Sequence, residues 1–200
     1  AIVEGKAKVN QCPVGGASVG DKIAAIMGVE AGAAEKMVAF VKCKGTCDKA
    51  NVQYNYYGMD DCVKIAAAVP GAGDKACSYG CLGLGSCKKA CAFGAIEIVD
   101  GVAVIDKDKC VACGKCVREC PKQVIHIHEC ANYIVVRCSN RQNGKEARQV
   151  CLASCIGCGI CEKTCTAGAI KVTEHCAVID ESVCLSCGMC VVKCPRHVLT

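Results

Sequence analysis

The chain has 200 residues, 24 of them cysteine, with no tryptophan, two phenylalanines and a formal net charge of +5. So much cysteine beside so few large hydrophobes means that cross-links replace part of an ordinary core. The cysteines stand in tight C-x2-C runs, which suits shared metal sites in a reducing compartment better than a disulfide scaffold. With no apolar run of roughly 18 residues and no leader-like opening, the chain as written is expected to be soluble, and the scarcity of aromatic residues argues against nucleic acid as a partner.

In chain order, residues 1–42 read as a helical segment. The opening "AIVEGKAKVNQCPVGG" resembles the middle of a domain, so a fragment is expected. "KIAAIMGVEAGAAEKMVAFV" reads as one or two short apolar-faced helices used for packing. Residues 43–76 form a cysteine-containing connector with Cys43, Cys47 and Cys62, in which "YNYYG" at 54–58 reads as a half-buried strand.

From Cys77 the chain repeats itself. The shift that lays Cys77 on Cys151 also carries Cys81, Cys87 and Cys91 onto Cys155, Cys161 and Cys165. The same shift carries Cys110, Cys113, Cys116, Cys120 and Pro121 onto Cys184, Cys187, Cys190, Cys194 and Pro195. Two ferredoxin-like units follow, at 77–125 and 151–200, separated by a second cysteine-containing connector at 126–150. In each unit a cysteine loop precedes a strand pair and a second loop ending in Cys-Pro. "AIEIVDGVAVID" alternates apolar residues on both sides of Asp100-Gly101, a two-residue hairpin signal. Short helical turns are expected at "KCVREC" and "MCVVKC". The predicted fold class is α+β, two tandem dicluster ferredoxin-like units behind a small helical N-terminal segment.

The spacing C-x2-C-x2-C-x3-C-P is that of bacterial 4Fe–4S ferredoxins, whose fourth cysteine serves the other cluster of the pair. Zinc would need paired C-x2-C motifs instead. Cys110, Cys113 and Cys116 therefore go with Cys91, Cys184, Cys187 and Cys190 with Cys165, and Cys155, Cys158 and Cys161 with Cys194. Gly114, Gly159 and Gly188 let the tight loops turn backbone N–H groups towards sulfur. In the first unit Leu84 stands where Cys158 stands in the second, leaving Cys81, Cys87 and Cys120 one ligand short. Either Cys77 is the substitute, or that cluster is a 3Fe–4S type.

Cys151 persists beside a complete motif, which points to another use for Cys77 and Cys151. Cys77 with Cys43, Cys47 and Cys62 makes one further set of four, and Cys151 with Cys130, Cys138 and Cys176 makes another. The expectation is at least four 4Fe–4S clusters and at most six. Each oxidised cluster with its four thiolates carries about −2, so five or six would invert the chain's charge to about −5 to −7. Thiols outnumber histidines as candidate ligands, and His126 and His128 alternate on one face of a strand in "VIHIH". The sequence offers no catalytic set, P-loop or dinucleotide fingerprint, so no substrate-transforming site and no small-molecule substrate are expected.

"CPVGG", "IAAIMGVEA", "VAFVKCKGTC", "YYGMDDC" and "CSYGCLGLGSC", with the two Cys-Pro motifs, resemble the iron–sulfur B subunit of the Rnf ferredoxin:NAD+ oxidoreductase complex of anaerobic bacteria. The resemblance covers essentially the whole chain. It implies that a membrane helix and a small Fe–S domain precede this segment, that residues 1–42 include that domain's remnant, and that Cys12 is its fourth cysteine without the other three. It further implies an electron-transfer protein that takes electrons from reduced ferredoxin and passes them through 4Fe–4S clusters to the membrane subunits of an ion-translocating complex. Its place would be the cytoplasmic side of the cell membrane, peripheral through the complex. The alternative is a soluble polyferredoxin-type carrier for a cytosolic reductase.

Overall fold

The computed structural model describes residues 16–28, 36–69, 71, 73–129 and 134–200. Cys12 and Cys130 lie outside the described residues. Helix α1 (Gly16–Met27) is followed by strand β1 (Met37–Val41) and helix α2 (Cys62–Ala68). The first repeat contains α3 (Ser86–Ala90), β2 (Ile96–Val99), β3 (Val102–Ile105), α4 (Lys115–Glu119) and β4 (Ile125–Glu129). After α5 (Gly144–Val150), the second repeats the order with α6 (Ile160–Thr164), β5 (Ile170–Thr173), β6 (Cys176–Ile179) and α7 (Met189–Lys193). The described architecture is a small α+β fold of short helices and two-stranded antiparallel sheets.

The hairpins form where the alternation places them. Ile96 pairs with Ile105 and Val99 with Val102, and in the second copy Ile170 pairs with Ile179. Asp100 and Gly101 both take positive φ, 47° and 74°, as a type I′ turn requires. The turn packs onto the preceding cysteine loop: a Cβ on Gly83 would meet the Gly101 carbonyl oxygen at 2.5 Å, so only glycine fits.

The segment "MVAFV", read above as helix, is instead β1. It pairs antiparallel with β4, Met37 opposite Glu129 and Val41 opposite Ile125, and Val38 and Val41 are fully buried. A short apolar run bounded by breaks fits either element, and the free edge of β4 decides for strand. Phe40 packs on His126 and His128, with ring centroids 6.0 and 4.6 Å apart, so the two histidines do share a face. "YNYYG" does not form a strand. Tyr57 is 90% exposed, and the Tyr56 hydroxyl donates to the Met59 carbonyl in a loop.

The second repeat has a counterpart of β1. Val135 and Thr200 exchange backbone hydrogen bonds, and the Arg137 N–H donates to the Val198 carbonyl as the Lys42 N–H donates to that of Val124. Val124 and Val198 keep the offset that relates Cys77 to Cys151, whereas Lys42 and Arg137 stand further apart in the chain. The repeat thus reaches back to a strand before each connector, and the first connector is the longer of the two. Two cores result, one around Val41, Ile96, Val124 and Ile125, the other around Val136, Ile170, Val198 and Leu199. They meet where Ala50 bridges Cys151, flanked by hydrogen bonds from Asn51 N–H to the Val150 carbonyl and from Leu152 N–H to the Lys49 carbonyl.

Candidate cofactor centres

Among the described residues, four cavities of nearly equal empty volume, 330 to 360 Å³, are each lined by four cysteines. One holds Cys91, Cys110, Cys113 and Cys116, and another Cys155, Cys158, Cys161 and Cys194, the sets the spacing predicts. Gly114, Gly159 and Gly188 each cap a short helix in the left-handed conformation, so the loop turns sharply between the second and third cysteines. Cys190 lies within electrostatic reach of both Cys165 and Cys184 in the matching place of the second unit, and Cys187 is exposed.

The cavity of the incomplete first motif is lined by a fourth thiol from outside the motif. Cys62 lines one cavity with Cys81, Cys87 and Cys120, and Cys77 does not. Cys62 is the first residue of α2. Its N–H donates to Ser86 Oγ at 2.7 Å, Ser86 Oγ donates to Asp61, and Asp61 caps the helix through Val63 and Lys64. The long first connector thus delivers a thiol where Leu84 cannot.

Cys77 lines the remaining cavity with Cys43, Cys138 and Cys151. Neither grouping expected for the spare cysteines appears. Cys47 is exposed and lies at the Gly101 turn, where a Cβ on Gly101 would meet its Sγ at 2.8 Å. Cys176 lies on β6, and its thiol donates to the Cys138 carbonyl at 3.5 Å. Chain proximity, on which those groupings rested, is overridden by the pairing of the two units.

Burial raises most of these thiols. It pushes Cys87 up to about 12 and Cys77, Cys116 and Cys161 up to about 11, with neighbouring cysteines adding to the effect at each. Backbone N–H groups work the other way: those of Ala103 and Gly83 face Cys81, Tyr79 faces Cys77, and Ala153 faces Cys151. N–H donors around clustered, buried thiols are the setting that iron–sulfur ligation requires, since ligation itself must supply the energy of ionisation. Cys138 and Cys155 are lowered, to about 7 and about 6, chiefly because Cys176 donates its S–H to them, and Cys176 is correspondingly held as a thiol.

Among the described residues no three cysteine, histidine or carboxylate side chains stand close enough to share one metal ion. Thiolates about 2.3 Å from a single zinc would crowd together, whereas a cubane keeps its four ligands apart around a larger body. The quartets and their cavities fit the larger group.

A family described as 4Fe-4S binding domain matches residues 103–126 and 177–200, the two Cys-Pro segments with the strand before each. Over all 200 residues the chain is 46% identical to the B subunit of the Na(+)-translocating ferredoxin:NAD(+) oxidoreductase complex of Acetobacterium woodii, and 43% identical to the B subunit of the ion-translocating oxidoreductase complex of Methanosarcina acetivorans. The chain belongs to this family of B subunits. A third relative, the B subunit of the proton-translocating ferredoxin:NAD(+) oxidoreductase complex of Clostridium ljungdahlii, is 41% identical over 93% of the chain. The chain spans 60% of the Acetobacterium relative, 66% of the Clostridium one and 75% of the Methanosarcina one. Its cofactors are 4Fe–4S clusters.

Proposed function

We propose that this chain relays electrons from reduced ferredoxin to the membrane subunits of an ion-translocating ferredoxin:NAD+ oxidoreductase. The observation that carries the reading is the repetition: two copies of one cysteine-rich unit, most of whose cysteines pack against its own core, meet in one chain, and we read each copy as a dicluster unit. Four sites are proposed, three from the motifs alone and one that Cys62 completes. They are Cys91 with Cys110, Cys113 and Cys116; Cys62 with Cys81, Cys87 and Cys120; Cys155, Cys158 and Cys161 with Cys194; and Cys165 with Cys184, Cys187 and Cys190.

Bound 4Fe–4S clusters supply one-electron redox chemistry without proton or atom transfer. The residues of the chain fix cluster positions, exclude water and set the field. Ala39 N–H donates to Cys110 Sγ at 3.4 Å, so β1 tunes one site while closing the sheet. Val124 and Ile125 line the site of Cys62, Cys81, Cys87 and Cys120, and Val198 that of Cys155, Cys158, Cys161 and Cys194; these are the inner sites of the two units, and all three side chains are nearly fully buried. Cys113 is half-buried, whereas Cys158 and Cys187 are exposed, and electrons would enter and leave where such cysteines reach the surface. Substrate chemistry and ion movement fall to other subunits. No helix among the described residues is long and apolar enough to cross a membrane, and attachment on the cytoplasmic side would come through the complex.

The test is anaerobic mixing of the cluster-loaded chain with reduced ferredoxin, with the partners of the native protein identified after membrane solubilisation. Reduction of the chain and recovery with membrane subunits support the reading. Recovery only as a soluble carrier would support a polyferredoxin serving a cytosolic reductase.

A further inference from the structure

We propose that Cys43, Cys77, Cys138 and Cys151 hold a fifth 4Fe–4S cluster at the junction of the two units. This inference rests on the iron–sulfur reading of the chain and adds a site that no ferredoxin motif contains.

The four thiols converge. A Cβ on Gly80 would meet Cys43 Sγ at 3.4 Å and Cys77 Sγ at 3.7 Å, and one on Gly45 would meet Cys151 Sγ at 3.2 Å and Cys43 Sγ at 3.7 Å. The cavity that they line with Cys138 has an empty volume of 350 Å³, against 330 to 360 Å³ for the cavities lined by three of the motif sets. Asn140, 1% exposed, aims at it: its N–H donates to Cys138 Sγ at 3.4 Å and its side-chain amide to Cys77 Sγ at 3.6 Å. Lys75 and Arg137 line the same cavity and would offset the charge of about −2 that a ligated cluster carries.

The repeat explains the set. Cys77 and Cys151 are equivalent under the shift that superposes the cysteine motifs, and Cys43 and Cys138 under the larger shift that aligns the strands before the connectors. Each unit thus contributes the same two cysteines, and neither pair completes a site within its own unit. The junction site joins the chain of clusters at its middle. Gly80, whose neighbour Cys81 belongs to the inner site of the first unit, lies against Cys43 and Cys77, and Cys138 Sγ accepts from the N–H of Cys155 at 3.3 Å, a ligand of the inner site of the second.

The test is iron, acid-labile sulfide and zinc per chain after anaerobic reconstitution, with Mössbauer spectra, on the native chain, on Cys77→Ala with Cys151→Ala, and on Cys47→Ser. The proposal expects about 20 iron and 20 sulfide in the native chain and in Cys47→Ser, and a loss of about four of each in the double variant. A native count of about 16, all in four-iron sites, overturns the fifth cluster and leaves the relay intact. Zinc or a disulfide at these cysteines also overturns it, as does unchanged iron in the double variant. A native chain without iron and sulfide sinks both the junction cluster and the relay. The native count decides even where the double variant does not fold.

Discussion

The backbone N–H of Cys155 donates to Cys138 Sγ at 3.3 Å, a direct link between two of the cysteine-lined cavities. Cys176 sits beside both and donates its thiol proton towards them, as the lowering of Cys138 and Cys155 reflects. The equivalent residue in the first unit is Val102, which has no such proton. A hydrogen bond to a ligand sulfur favours the more negative, reduced state and raises the reduction potential.

Cys176→Val should therefore keep the iron content of the native chain and lower the potential of the cluster held by Cys155 and of the junction cluster held by Cys138. A redox titration followed by electron paramagnetic resonance reads this. Loss of about four iron atoms would instead make Cys176 a ligand.

Cys62→Ser should remove the fourth thiolate of the first unit's inner site. The expected result is loss of about one iron atom and a three-iron resonance in the oxidised protein. Leu84→Cys alone should add no iron, because Cys62 already lines that cavity. Leu84→Cys combined with Cys62→Ser should restore the four-iron site by rebuilding the motif that Cys158 completes in the other unit. A three-iron signal in the native chain would show that Cys62 stays off the cluster.

Lys75→Met should destabilise the first unit. Lys75 is 7% exposed, and its ammonium donates to the carbonyls of Gly45, Cys81 and Gly101, tying the connector, the cysteine loop and the hairpin turn together. Losing a buried charged donor while stranding its acceptors costs about 2–4 kcal/mol. A lower unfolding midpoint with early bleaching of the first unit's clusters is expected, and an unchanged midpoint would contradict it.

The parts of this molecule that depend on local spacing were legible in the sequence. The two hairpins, the short helices after Gly114 and Gly188 and the gathering of Cys91 with Cys110, Cys113 and Cys116 follow from short turns and loops. The placement of Cys62 was not legible, because it arrives from a connector whose length sets no register with the motif. "MVAFV" was misread for a related reason. Its strand state depends on β4, which lies beyond the whole first cysteine repeat. The meeting of Cys77 with Cys151 was hidden because each was assigned to the cysteines nearest in its own connector. Only the strand alignment reveals Cys43 and Cys138 as a matched pair.

The most direct measurement is the number of electrons that the cluster-loaded chain accepts from reduced ferredoxin, counted by anaerobic titration and followed by electron paramagnetic resonance. The account predicts uptake of about five electrons, one per cluster. It also predicts broadened, interacting signals from the inner sites and the junction rather than isolated ones. A chain that takes no electrons from ferredoxin, while chemical reductants still reduce its clusters, would contradict the relay.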